Sequence, residues 1–340
     1  MQVTTIGLDI AKHVFQAHGI DGAGQVLIRR QLRRSEFRDF FSRLPPCLIG
    51  MEACSTAHFW ARELAALGHE VRLMPASYVK PYVKRGKSDA LDAEGICEAV
   101  TRPTMRFVAI KSPEQQAVLM LHRTRDLLVR QRTMLVNALR GHLAEYGIIA
   151  PQGLPSVPKL MNLAEKARGA ALPELAWRCI RLIIAQLEEA HAQITQVEHE
   201  ILVWHRSSEL SQRLETIPGI GIITASALAA TISDPGSFRS GRHLAAWIGL
   251  VPRQSGTGGK VRLGHISKQG DRHLRRLLVL GACTLMRHAR TRSSVMAAWI
   301  NALLARHPAS VVKTAIANKL ARIAWAVLQD SRGNQAPAAA

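Results

Sequence analysis

Apolar and polar positions change their period several times along the first hundred residues. Val3–Asp9, Val14–Ile20 and Gln25–Arg30 are short β-prone runs separated by Gly-rich turns, among them Asp21-Gly22-Ala23-Gly24, and they predict a three-strand meander. Helical spacing from Glu36 to Leu44 precedes an apolar strand at Cys47–Met51. A helix from Thr56 to Leu67, ended by Gly68, a strand at Glu70–Met74 and a helix starting near Ser88-Asp89 follow. The order β-β-β-α-β-α-β-α implies a mixed sheet covered by helices.

Beyond this region the period is mostly helical. Ser112-Pro113 opens an apolar-periodic segment that reaches Tyr146 and stops at Gly147, a helix of roughly 33 residues with Pro at its start and Gly past its end. A second segment, from Pro173 to about Trp204, places Ile180, Ile183, Leu187, Ala190, Ile194, Val197, Ile201 and Trp204 at alternating three and four spacing, a coiled-coil seam. The stretch between them, Ile148 to Leu172, carries Pro151, Gly153, Pro155 and Pro158 and reads as a hinge. From Leu214 onward helical segments are interrupted by Ile217-Pro218-Gly219-Ile220-Gly221 and Ser255-Gly256-Thr257-Gly258-Gly259, and Gln335 to Ala340 reads as a frayed tail. The expected division is an α/β domain over 1–108, a coiled-coil helical region over 109–206, a mostly helical basic domain over 207–330, and a flexible tail over 331–340.

Composition narrows the function. The 340 residues are 47% apolar, enough to bury a core, and carry 45 Lys plus Arg against 25 Asp plus Glu, a net charge of +20. Between Ser255 and Gln329 the only acid is Asp271, so more than half of the net charge falls in this quarter of the chain. Such an excess predicts a polyanionic partner. Nucleic acid fits better than a membrane, because the longest apolar run, about Leu277 to Met286, is far short of the roughly 20 residues of a bilayer span. The first residues lack a basic start followed by an apolar stretch, so a cytoplasmic protein is expected. Cys47, Cys54, Cys97, Cys179 and Cys283 are odd in number and in no Cys-x-x-Cys pair, which argues against disulfides and zinc and for buried small apolar residues.

Four acids stand out. Asp9 ends the first strand in Ile6-Gly7-Leu8-Asp9, and Glu52 follows the fourth in Ile49-Gly50-Met51-Glu52; if strands one and four are neighbours, the two converge. Asp89 and Asp92, three apart, share one face of a helix's first turn. Carboxylates so clustered repel one another unless divalent cations neutralise them. Oxygen ligands of this kind suit magnesium or manganese, and a pair of such ions about 3.5 to 4 Å apart stabilises both attacking and leaving oxygens of a phosphodiester. Taken singly, Asp9 and Glu52 are equally strand-end caps, and Asp89 and Asp92 favourable charge at a helix N-terminus. Jointly, in that order, the four resemble the ribonuclease-H-like (RuvC-type) arrangement.

Ser255 lies in Pro252-Arg253-Gln254-Ser255-Gly256-Thr257-Gly258-Gly259-Lys260-Val261-Arg262. A serine hydroxyl needs a base or electrostatic help to attack, and a phosphodiester needs its charge balanced. Flanking glycines let backbone approach a phosphate, and Arg253, Lys260 and Arg262 can pair with its oxygens. Serine attack would conserve the phosphodiester bond energy as a phosphoserine ester, allowing rejoining without ATP. The competing reading is a flexible loop with solvated basic residues. Ser267 is a rival nucleophile whose preferred reading is a helix N-cap. Gly219 and Gly221 resemble a helix-hairpin-helix turn, whose amide N–H groups can hold a DNA phosphate irrespective of sequence, or a plain tight turn between packed helices. Lys268 and the helically spaced Arg272, Arg275 and Arg276 suit a backbone-contacting surface more than a merely solvated face.

Together these residues resemble a known family, the DEDD transposases of the insertion sequence 110 family, bridge-RNA-guided recombinases, in particular their 1111 subgroup. The likeness spans nearly the whole chain. It rests on Gly7-Leu8-Asp9-Ile10-Ala11-Lys12, Met51-Glu52-Ala53-Cys54, Lys87-Ser88-Asp89-Ala90-Leu91-Asp92-Ala93 and the Ile217-to-Gly221 turn. It continues through Gly249-Leu250-Val251-Pro252-Arg253, Ser267-Lys268-Gln269-Gly270 and Leu274-Arg275-Arg276. The resemblance implies that Asp9, Glu52, Asp89 and Asp92 form the metal-binding tetrad and that Ser255, matched across a one-residue gap, is the nucleophile. It also implies a homotetramer, a dimer of dimers, on a guide non-coding RNA that pairs with donor and target double-stranded DNA, the acids of one subunit completing a site with the serine of another. Two other functions suit the same residues: a metal-dependent junction nuclease or DNA invertase in which water attacks, and a non-catalytic nucleic-acid-binding scaffold.

Overall fold

The first three strands form where expected because alternation and turn chemistry agree. In the computed structural model, which describes residues 2–84 and 88–330, β1 (Thr5–Ile10), β2 (Val14–Ile20) and β3 (Val26–Arg33) make an antiparallel meander. Asp21 closes the β2–β3 turn: its Oδ1 accepts hydrogen bonds from Ala23 N and Gln25 N, both at 2.9 Å. After α1 (Phe37–Ser42), β4 (Leu48–Glu52) returns parallel to β1; after α2 (Ala57–Ala66), β5 (Glu70–Met74) lies parallel to β4. The five-stranded sheet has the order β3-β2-β1-β4-β5. A short helix missed in the sequence, α3 (Ala76–Val79), and a 3-10 turn sit between Pro75 and Tyr82. Pro75 caps the helix and Pro81 lies in the first turn of the 3-10 segment, positions where a missing N–H is tolerated. The helix α4 (Asp89–Val100) completes this unit, Met1–Pro113.

Strand alternation assigns the two faces of the sheet. Ile6, Leu8, Ile49 and Met51 point toward α1 and α2, where Phe15, Phe37, Phe41 and Trp60 fill the core. Gly7 and Gly50, directly paired across β1 and β4, point the other way, toward α4. A Cβ on Gly7 would lie 2.1 Å from the Ala93 carbonyl oxygen and 2.3 Å from the Cys97 nitrogen; one on Gly50 would lie 2.6 Å from Val100 Cβ. The missing side chains are what let α4 sit against the backbone of the two central strands.

The second unit, Glu114–Ala340, holds together what the sequence divides into a separate coiled-coil region and a basic domain. The long helices appear as expected: α5 (Pro113–Ala144), ended near Gly147 at φ +70°, and α7 (Glu174–Ser207). The hinge does not. Its place is taken by α6 (Val157–Lys166), with Pro158 in its first turn and Val157, Leu160 and Ala164 buried. Nor is the seam of α7 left open for another subunit along its length: Ile180 and Leu187 are buried with Leu139, Leu143 and Leu160 of the same chain.

The remainder is α8 (Glu209–Glu215), α9 (Ile222–Thr231), α10 (Gly241–Trp247), an antiparallel hairpin of β6 (Pro252–Thr257) and β7 (Lys260–Ile266), α11 (Arg272–His288), α12 (Val295–Leu304) and α13 (Ala309–Asp330). Leu214, Leu228, Leu244, Leu278, Ile316 and Leu320 centre its core. The tail 331–340 and Lys87 of the Lys87-to-Ala93 motif lie outside the described residues. Among the described residues no helix is long and apolar enough to cross a membrane. All five cysteines are free, and only Cys47 and Cys97 are buried; Cys54 and Cys179 are exposed, against the expectation of buried thiols.

Gly7→Ala should cost roughly 1 to 3 kcal/mol in denaturant unfolding, the range for overpacking. Gly141→Ala, on an exposed stretch of α5 with nothing near the added carbon, should be neutral or stabilise by about 0.5 to 1 kcal/mol. Equal effects would show that α4 is not seated as described.

Candidate metal centre and serine hairpin

The glycine pair also explains where the acids go. Asp9 lies two residues beyond Gly7 and Glu52 two beyond Gly50, so both carboxylates occupy the α4 face at the C-terminal ends of adjacent parallel strands. On α4, Asp89, Asp92, Ala93, Ile96, Cys97 and Val100 follow helical spacing, so the stripe that contacts Gly7 and Gly50 ends in two carboxylates. Asp9, Asp89 and Asp92 each offer an oxygen, and these oxygens all lie within 4.8 Å of one another. Glu52 stands beside this triad rather than within it.

The electrostatics bear the mark of uncompensated negative charge. Burial, followed by the carboxylates of Asp92 and Asp89, holds the Asp9 carboxyl above its usual range, against a hydrogen bond from the Ile10 backbone. Burial, then Asp9 and Asp92, does the same to Glu52. These charges act on one another at the end of a sheet, with oxygen donors suited to a hard divalent cation such as magnesium or manganese. The residues present fit such an ion: Asp9, Asp89 and Asp92 would hold it, with Glu52 adjacent.

Ser255 is not on a flexible loop. It lies on β6, opposite Arg262 of β7, and the hairpin turns through Gly258 and Gly259 at φ +57° and +79°, the left-handed pair that a tight two-residue turn requires. Lys260, Val261, Arg262 and Leu263 alternate charged and apolar residues, which together with the Gly-Gly pair is the signal by which the hairpin could have been found. Directly paired residues share a face, so Arg262 flanks the hydroxyl, with Lys260 diagonal to it. Every residue of β6 is exposed. Among the described residues, no side chain hydrogen-bonds Ser255, so the hydroxyl has no local base.

The other basic and glycine positions divide. Arg253 donates from Nη2 to the Ser267 carbonyl at 3.2 Å. Ser267 is not the helix cap expected of it: the cap of α11 is Asp271, whose Oδ1 accepts from Leu274 N at 2.9 Å, because Lys268 and Gly270 at positive φ break the helix before that point. Arg275 donates from Nη1 to the carbonyls of Ile248 and Gln269, both at 2.7 Å, and Arg276 pairs with Asp126, so these two guanidiniums act in packing. Arg272 and Lys268 remain exposed without carboxylate partners among the described residues. Gly219, at φ +88°, packs against α11, where a Cβ would meet Leu285 at 2.8 Å, whereas the space about Gly221, the N-cap of α9, is open.

Comparison with known proteins covers both units of the chain. A DEDD-type insertion sequence 110 transposase family matches residues 6–148, and the family described as "Transposase IS116/IS110/IS902 family" matches residues 211–297. The "Probable family 20 transposase" of Pseudomonas aeruginosa is 50% identical over 96% of this chain and 97% of its own length. The transposase for insertion sequence element IS1328 of Yersinia enterocolitica is 43% identical over 96% of each. The transposase for IS1111A of Coxiella burnetii is 37% identical over 96% of this chain and 90% of its own.

Because Asp9 and Glu52 have raised folded values, their ionisation opposes folding. The stability they give is complete below the ordinary carboxylate range near 4 and is lost as pH rises through the raised values. In EDTA at neutral pH, Asp9→Asn should therefore raise the unfolding temperature. Wild type should be stabilised by Mg²⁺, by about 2.7 kcal/mol at 100 times Kd, and Asp9→Asn should abolish that stabilisation. An unchanged Mg²⁺ response would show that Asp9 holds no ion.

Proposed function

The chain belongs to the IS116/IS110/IS902 family of transposases, enzymes that cut and rejoin DNA, and from that premise we propose that Ser255 is its nucleophile, assisted by a metal site of Asp9, Glu52, Asp89 and Asp92 on a ribonuclease-H-like sheet. The observation that carries this reading is the convergence of the acids from β1 and α4, three of whose oxygens lie within 4.8 Å of one another. Asp9, Asp89 and Asp92, with Glu52 adjacent, would hold a divalent cation, which would supply positive charge against the phosphate oxygens. The carboxylates hold and orient that site, and burial favours their capture of an ion over solvation.

The serine oxygen attacks phosphorus; a P–O bond to Ser255 forms, the bond to the leaving deoxyribose oxygen breaks, and the hydroxyl proton passes to a base or water. The leaving oxygen then takes up a proton. Arg262 and Lys260, sharing the hairpin face with Ser255, balance charge on the phosphate, and Arg253 braces the strand against Ser267. The resulting phosphoserine ester is resealed by attack of another DNA hydroxyl, with no external energy source. A net charge of +20 with 5% aromatics favours binding to the backbones of duplexes over base stacking. That suits a division of labour in which a guide RNA reads sequence by pairing, and in which subunits of an oligomer contribute acids and serine to a shared site.

Ser255→Ala should abolish a covalent protein–DNA adduct, trapped by denaturation during reaction, while DNA binding stays within about twofold. Asp9→Asn and Glu52→Gln should lower adduct formation by at least about a hundredfold. Cleavage without an adduct in wild type would assign attack to water. An adduct retained by Ser255→Ala would move the nucleophile elsewhere.

A further inference from the structure

Beside the serine hairpin lies a groove that the proposed chemistry does not use. It encloses about 1350 Å³ between the base of the hairpin and α10 and α13, with Pro252 and His265 on one wall and Arg242, Lys319 and Arg322 on the other. Its lining includes Lys268 and no acidic residue, and among the described residues none of the four cations pairs with a carboxylate. Three features show that it is built rather than incidental. Gly241 brings α10 against α13 so closely that a Cβ would lie 3.0 Å from Arg322 Cα, which sets Arg242 and Arg322 at the same wall. Lys319 Nζ lies 4.2 Å from the centre of the Trp299 ring, so the ammonium is held in place on the ring face. Lys268 adopts φ +55°, a left-handed backbone that Lys adopts only at a cost and that this position keeps next to the hairpin.

We propose that this groove binds the phosphodiester backbone of a nucleic-acid strand and leads it to Ser255. Cations without counter-charges recognise phosphates, and Lys319 already occupies the Trp299 face on which it stacks. Binding is therefore independent of sequence. Ser255 lies three residues along β6 from Pro252 at the groove wall, about 10 Å at strand spacing. This assignment rests on the reading of Ser255 as acting on DNA, and it adds Arg242, Lys319 and Arg322 to the residues that hold the strand.

The test is equilibrium binding of the full chain to a short duplex DNA, and separately to a single-stranded RNA of the same sequence, across a series of salt concentrations. Arg242→Gln/Lys319→Gln should lower affinity at least tenfold and reduce the salt slope by about 1.8 on duplex DNA, as loss of two phosphate contacts requires. The control Arg181→Gln/Arg206→Gln removes the same charge from exposed positions on α7 and should leave the slope near wild type. Lys268→Gly removes a charge at a conformation glycine adopts freely, and should fold normally and lower the slope by about 0.9. A loss confined to one probe assigns the groove to that strand. Equal losses in groove and control variants, or an unchanged slope in the groove variants, overturn the proposal. Groove-dependent binding by a wild type that forms no serine adduct would leave the groove standing and remove the nucleophile reading. An adduct with groove-independent binding would do the reverse.

Discussion

Two glycines with no room for a side chain organise the acidic site. Gly7 and Gly50 face each other across β1 and β4, and α4 closes onto them until Ala93 and Cys97 at Gly7, and Val100 at Gly50, occupy the space a methyl group would need. A helix held so near a sheet has little freedom to slide or rotate, since interiors resist sub-ångström overlap. Its register is therefore set, and with it the positions of Asp92, next to Ala93, and of Asp89, about one turn before it. The same pleat that turns the glycines toward α4 turns Asp9 and Glu52 that way two residues later. Packing and chemistry are one constraint here.

That constraint brings like charges together, and burial sharpens their repulsion. Asp9 and Glu52 resist ionisation chiefly because they are partly desolvated, and next because their neighbours are carboxylates. The rest of the chain is strongly basic, most of all from Ser255 onward. An anionic pocket on a cationic protein is a combination suited to capturing divalent ions while the remaining surface attracts nucleic acid. The serine-bearing hairpin answers the acids with the opposite chemistry: an exposed hydroxyl flanked by Arg262 and Lys260, stiffened by strand pairing and a Gly-Gly turn.

Most of the first unit was legible because local and global signals agree there. Alternation marked β2, glycines ended the helices, and the adjacency of strands one and four on which Asp9 and Glu52 depend is what the parallel pairing shows. What sequence alone did not convey was close approach: nothing local distinguishes Gly7 from a turn glycine until the helix that lies on it is known. In the second unit, prolines that mark the start of α6 resembled a hinge, and the glycines around Ser255 resembled a flexible loop, although the alternation after Lys260 carried a strand signal. Arg275 and Arg276 have the spacing of a nucleic-acid face, and what the spacing did not convey is that the fold also engages them, Arg275 with the Ile248 and Gln269 carbonyls and Arg276 with Asp126.

The most direct test is anomalous diffraction from crystals of the full chain soaked in Mn²⁺. A manganese peak ligated by Asp9 together with Asp89 or Asp92, with Glu52 next to it, is the expected result. A peak on the exposed Asp89 alone, or manganese bound with Asp9 turned away from α4, would contradict it.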